Sequence, residues 1–232
     1  NLASYQTAVA PNTLISIFGR SLAASTTVAG SLPLPTRLGG VCVTMGSRAL
    51  PLFMTSSGQI NAQIPPDLGG GTYPVIVRSF DNKIASASQN VTVAKYAPAV
   101  LVDPVSKQIL LFDAEGKPIT KDNPAKRDRP ITMYALGLGV TTGGRVITGD
   151  ASPSSPLAAA AKTEVFFGNP LIKEAGIIVD WSGLAPGFVG LYQINLRVPG
   201  AHISGEALPV TVKIGGVSSP STGPLLPVVA VD

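Results

Sequence analysis

Cysteine, histidine and tryptophan occur once each in this 232-residue chain, and each scarcity closes a route. The lone Cys42 has no partner for an intramolecular disulfide, so the fold must hold by packing. The lone His202 leaves a Ser/His/Asp triad a single base to draw on, no G-x-S-x-G elbow accompanies it, and no Cys/His cluster has metal-ligand spacing. No catalytic residue, metal or cofactor is therefore expected. Charged residues make up 13 % of the chain, about half the usual share. No apolar run reaches the ~20 residues of a membrane-crossing helix, so no transmembrane segment is expected. Neither methionine nor a basic leader precedes Asn1, which reads as a processed or excised piece attached to an upstream domain.

What the chain does have is turn formers and apolar runs. The 25 glycines and 21 prolines punctuate hydrophobic stretches in a sequence that is 45 % apolar, a pattern of many short strands and not of disorder. An all-β fold is the expectation. A surface of Ser, Thr, Asn, Gln and Gly, with one thiol, suits an extracellular or cell-envelope location. The net charge of +4 comes from 17 basic residues, mostly scattered and not interleaved with aromatics, so no nucleic-acid partner is expected. Cys42 falls in an alternating apolar stretch and is expected to be a buried small hydrophobe.

One seven-residue phrase is written twice. Gln59-Ile60-Asn61-Ala62-Gln63-Ile64-Pro65 returns as Gln193-Ile194-Asn195-Leu196-Arg197-Val198-Pro199, 134 positions later. A repeat of that length implies two bodies of about 100 residues, each able to close its own core. The expected domains are residues 1–97 and 98–232. In the first, strands are expected over 13–19, 41–46, 49–55 as the hairpin partner of the strand before it, 59–64, 73–78 and 85–94, with a loop at 69–72. In the second, Ile131-Thr132-Met133-Tyr134-Ala135 matches Ile15-Ser16-Ile17-Phe18-Gly19, followed by strands over 163–168, 191–198, 208–214 and 225–231. A short, stiff joint is expected at 96–101, a hairpin at 109–116, and a polar loop at 120–129.

The order Phe18-Gly19-Arg20-Ser21-Leu22, a strand ending at Gly46, Gln59 to Pro65, and Gly71-Thr72-Tyr73-Pro74-Val75-Ile76-Val77 resembles the IPT/TIG branch of immunoglobulin-like folds. The resemblance implies two tandem antiparallel β-sandwiches. The chain as a whole is similar to the uncharacterised C-terminal tandem domain of acidobacterial (Solibacter-type) exported proteins, through Asn1 to Tyr5, Ala10 to Gly19, Leu34 to Val41 and Gly183 to Asn195. That family implies a module appended to diverse partners and carries no known reaction. Asn12 stands where the family pattern has glycine, and Asn also tolerates a left-handed backbone.

Two residue sets are candidates for binding. Gln59, Asn61, Gln193 and Asn195 put amides on one strand face, where they either bond a sugar hydroxyl in both directions or satisfy loop backbone in each half; duplication favours the second. Trp181, with Tyr192 and Phe188, either forms a platform that stacks on sugar rings or packs in the core and rim. Asp103, Asp113 and Glu115 lie between the halves, while Asp122, Asp128, Asp150, Glu164, Glu174 and Asp180 are spread through the second. Asp113-Ala114-Glu115-Gly116 is too thin for a calcium loop. Lys117, Lys121, Lys126, Arg127 and Arg129, diluted by Asp122 and Asp128, read as a charge-mixed surface loop. The loop from Thr141 to Pro156 is the main asymmetry between the halves, and such insertions commonly carry specificity.

The expected function is a non-catalytic extracellular or cell-surface accessory module. Its work would be adhesion, carbohydrate or cell-surface protein binding, or spacing of an upstream domain. The alternative is a polysaccharide-acting hydrolase with an interdomain carboxylate pair, which requires two acids about 5–9.5 Å apart in one cleft.

Overall fold

A computed structural model describes residues 1–106, 108–168, 177–198, 205–220 and 225–228. His202, Glu174 and the expected strand beyond Val228 lie outside the described residues. The first half contributes β1 (Leu14–Phe18), β2 (Thr27–Val28), β3 (Val41–Met45), β4 (Arg48–Ala49), β5 (Leu52–Thr55), β6 (Gln59–Gln63), β7 (Gly71–Ser79), β8 (Ile84–Ala85) and β9 (Gln89–Val93). The second contributes β10 (Ala99–Val100), β11 (Leu111–Asp113), β12 (Pro130–Leu136), β13 (Thr142–Gly143), β14 (Ala158–Ala159), β15 (Thr163–Phe167), β16 (Ile178–Leu184), β17 (Tyr192–Arg197), β18 (Gly205–Ile214), β19 (Val217–Ser218) and β20 (Leu225–Val228). The described residues contain no helix.

Each half is a sandwich of two antiparallel sheets. In the first, β1-β6-β5-β2 faces β4-β3-β7-β8, with β9 also on β7; in the second, β10-β12-β17-β16-β14-β13, with β11 on β12, faces β15-β18-β19, with β20 on β18. Alternation explains the packing: Val41, Val43 and Met45 of β3 point inward and meet Ile60 and Ala62 of β6 in one core. A second core joins Met133, Ile194 and Leu196 to Val165, Val212 and Ile214. Burying one such side chain contributes roughly 1.5–3 kcal/mol.

Two expectations need correcting here. The run 49–55 is not one hairpin partner: Arg48–Ala49 pairs with β3, whereas Leu52–Thr55 crosses to the other sheet and pairs with β6. Pro51, which has no N–H to give a ladder, sits at the crossing. Cys42 is half-buried, because the alternation that buries Val41 and Val43 turns it outward, opposite Arg78.

The two halves share a strand register. Ser16 faces Asn61 and Phe18 faces Gln59; correspondingly Thr132 faces Asn195 and Tyr134 faces Gln193. The halves differ at the outer edge of this sheet. In the second half the chain leaving the first becomes β10 and, with β11, covers β12: Tyr134 N–H donates to Leu110 O (3.2 Å) and Leu101 N–H to Tyr134 O (3.0 Å). In the first half, among the described residues, the outer edge of β1 receives one such bond, from Leu2 N–H to Leu14 O (2.9 Å).

The 141–156 loop bends back onto the first half. Gly149 N–H donates to Gln63 Oε1 (2.8 Å) in a buried site, and Leu34 N–H donates to Gly149 O (2.7 Å). Gly149 has φ +78°, a left-handed conformation that glycine adopts without strain. Asn1 Nδ2 donates to Ala97 O (2.9 Å), tying the start of the first half to the joint. Asn12, at the position where glycine was expected, has φ 65° and is 1 % exposed.

Candidate functional site

Among the described residues the paired amides bond neither loop backbone nor one another across the halves; they form the same local cluster twice. In the first half Gln59 Nε2 donates to Asn61 Oδ1 (2.7 Å), and the Ser16 hydroxyl donates to the same oxygen (3.0 Å). In the second, Gln193 Nε2 donates to Asn195 Oδ1 (2.8 Å) and the Thr132 hydroxyl to that oxygen (3.4 Å). Gln and Asn two residues apart on a strand share a face, which is why the Gln-x-Asn spacing works. Each cluster lies on the outward face, because the alternate residues Ile60 and Ile194 are fully buried.

Trp181 joins the second cluster and has no aromatic counterpart in the first. It stands directly opposite Asn195, while Met54 occupies the matching place opposite Asn61. Opposed residues in an antiparallel pair have Cβ atoms about 4.5–5.5 Å apart on one face. The six-membered ring of the Trp181 indole lies over Gly183, where a Cβ would come within 2.5 Å of it; only glycine leaves room for the ring. Gly183 in turn faces Gln193, so indole and amides form one patch. The bulge between Val179 and Trp181 sets this register.

A groove of about 760 Å³ runs beside the indole, lined by Lys162, Glu164, Phe166, Asp180 and Lys213 among others. Asp180 is held by Arg197 in a bidentate pair (Arg197 Nη2 to Asp180 Oδ1 2.6 Å, Nε to Oδ2 3.0 Å). Phe166 was not singled out from the sequence. Its outward position follows from the burial of Val165 and Phe167 on either side.

Tyr192 is a correction. It is fully buried and its hydroxyl donates to the Gly139 carbonyl, so it belongs to the core and cannot stack on a ligand. Burial drives its hydroxyl pKa far above the usual tyrosine value. Phe188 is 54 % exposed, in the turn whose carbonyl accepts from Ser152 N–H (2.9 Å); that places it with the 141–156 loop and not among the residues lining the Trp181 groove. The loop read as a place for specificity puts its Gly149 against the first half instead.

Of the interdomain acids, Asp103 and Asp113 are engaged in local turns. Asp103 accepts from the N–H groups of Val105 (3.0 Å) and Ser106 (2.6 Å). Asp113 accepts from Glu115 and Lys117 N–H (3.1 and 2.8 Å) and from Asn123 Nδ2 (2.9 Å). The Asn123 amide, helped by those backbone groups, holds the Asp113 carboxyl below the usual carboxylate range.

No family model matches the chain, and no curated protein is similar to it. Among solved structures it is similar to a Bacteroides ovatus mixed-linkage glucan utilization locus SGBP-B in complex with a mixed-linkage heptasaccharide, at 12 % identity and TM-score 0.34 over 93 % of this chain and 41 % of that one. It is also similar to the full extracellular region of plexin A4 (10 % identity, TM-score 0.29, 97 % of this chain and 17 % of that one). A third is the BSP domain of a biofilm associated protein (14 % identity, TM-score 0.29, 97 % and 28 %). The chain spans less than half the length of each.

Proposed function

We propose that this chain is a non-catalytic extracellular accessory module that binds carbohydrate on the outward face of β12, β17 and β16. The observation that carries this reading is Trp181 lying beside the Gln193–Asn195 pair. Asn195 Oδ1 is occupied by Gln193 and Thr132, which leaves Asn195 Nδ2 and Gln193 Oε1 without a partner among the described residues. A donor and an acceptor next to an indole face match a pyranose: the ring C–H face stacks on the aromatic while hydroxyls exchange hydrogen bonds with the amides. Lys162, Glu164 and Lys213 in the neighbouring groove add charged hydrogen-bonding groups for further sugar units. The first half carries the same amides with Met54 in the place of Trp181 and Phe18 opposite Gln59 as Tyr134 is opposite Gln193; it lacks the indole and serves as the frame. The latch through Gly149 holds the two halves as one unit and fixes the direction in which the site is presented.

Affinity electrophoresis and calorimetry against a panel of soluble β-glucans, mannans, chitin oligosaccharides and pectins test this. Trp181→Ala should weaken binding at least tenfold, and Gln193→Ala should weaken it less, while Gln59→Ala leaves it unchanged. Binding to no member of the panel, or binding indifferent to Trp181, overturns the reading.

A further inference from the structure

We propose that the outer edge of β1 is an acceptor for an added strand: it takes an extended segment of a partner protein, antiparallel to β1, with an apolar residue on its inner face and an aromatic next to it on its outer face. The inference is independent of the glycan site, which lies on the other half.

The duplication supplies the argument, because the same edge appears twice and is covered only once. In an antiparallel ladder, backbone groups alternate between the two sides of a strand. Thr13 O accepts from Ile64 N–H and Gly19 N–H donates to Gly58 O, so residues of odd number along β1 face β6. Leu14, Ser16 and Phe18 then turn their N–H and C=O groups outward, and Leu14 O indeed meets Leu2. The counterpart of Phe18 is Tyr134, whose N–H and C=O are both taken, by Leu110 and Leu101. The counterpart of Ser16 is Thr132, paired with Phe112 of β11. Among the described residues no strand covers Ser16 and Phe18.

The side chains repeat the difference. In the covered half Leu111 faces Met133 and is 1 % exposed, while Phe112 makes an edge-on contact with Tyr134 at 5.8 Å between ring centroids. In the open half Ile17, the counterpart of Met133, is only half-buried, and Phe18, the counterpart of Tyr134, is 61 % exposed with Tyr5 as its neighbour at 6.2 Å. A groove of about 670 Å³ opens between β1 and β9, lined by Ile15, Ile17, Val75 and Val91 together with polar residues of the 5–8 segment. Unpaired edges that are neither charged nor covered by Pro are templates for strand addition, and β1 carries no charge and no proline. The occupant is therefore described by β11 itself: an apolar residue opposite Ile17, as Leu111 is opposite Met133, followed by an aromatic opposite Ser16 that reaches Phe18, as Phe112 reaches Tyr134.

The test uses the full chain and a synthetic peptide of residues 108–117, Gln-Ile-Leu-Leu-Phe-Asp-Ala-Glu-Gly-Lys, as the stand-in strand. Titration followed by amide hydrogen exchange should show slowed exchange at Ser16 and Phe18 and no change on the Trp181 face. The same peptide N-methylated at the residue corresponding to Phe112 loses a backbone donor and should bind at least tenfold more weakly. Phe18→Pro, which removes an outward N–H that no described residue accepts, should abolish binding, whereas Phe18→Ala should only weaken it. The N-methylated peptide keeps the test decisive if a variant fails to fold. No exchange protection at ~1 mM peptide, a Kd beyond which strand pairing would be negligible, overturns the proposal. So does equal binding of the N-methylated peptide, or protection located elsewhere. A chain that dimerises through β1 without peptide would make a second copy the occupant and overturn the assignment to a partner protein.

Discussion

Removing Gln63's side-chain amide tests how the halves are joined. In Gln63→Ala the Gly149 N–H, 2.8 Å from Gln63 Oε1, loses its acceptor in a site closed to water. An orphaned buried donor costs about 1–3 kcal/mol, and truncating a side chain that is 1 % exposed leaves a cavity in addition. Gly149→Ala attacks the same bond from the other side, because its new Cβ meets Leu34 O and Pro51 Cβ at 3.2 Å with φ at +78°. Gly187→Ala is the matched control, with φ +81° and nothing within 4 Å of the added carbon. Both alanines incur the left-handed penalty of about 1–2 kcal/mol, so the excess in Gly149→Ala belongs to the junction. For a cooperative unit of this size each kcal/mol lowers the Tm by about 2–4 °C, so a loss near ~2 kcal/mol in Gln63→Ala corresponds to about 4–8 °C by differential scanning calorimetry. A Tm unchanged within ~1 °C, or a Gly187→Ala loss as large as that of Gly149→Ala, would refute the latch.

Two further expectations concern protons. Burial raises the Tyr192 pKa in the folded state, so its contribution to stability is whole below the unfolded value of about 10 and is lost as pH climbs above it; Tyr192→Phe should flatten that alkaline decline in chemical denaturation, and an unchanged decline would count against the buried hydroxyl. Asp113 has the opposite sign: its depressed pKa makes its contribution present above about 3.9 and lost as pH falls through the lower folded value. Asn123→Ala should raise the Asp113 pKa in a carboxyl NMR titration, and an unmoved midpoint would refute the role of that amide.

The fold was readable because its signals are local. Period-2 alternation in Val41 to Met45 and in Gln59 to Gln63, closed by Gly46 and Pro65, is enough to mark strands and their inner faces. The crossing at Pro51 was harder to see, since Leu52–Thr55 is as apolar as a hairpin partner would be, and sheet choice depends on distant β6. Tyr192 could have been placed from the sequence: it shares parity with Ile194 and Leu196 on the buried face. The meeting of Trp181 with Asn195 could not, because it depends on a bulge at Asp180 and on the length of the turn between β16 and β17, neither of which has a pattern of its own. Cys42 could have been placed in the same way as Tyr192, for it shares parity with Thr44 on the face opposite Val41, Val43 and Met45.

The loop carrying Gly149 belongs to one copy, and the residues that receive it, Gln63 and Leu34, belong to the other. Either half on its own would therefore leave one side of these bonds without its partner. A lone copy inserted elsewhere would arrive with either a homeless loop or an unmatched amide.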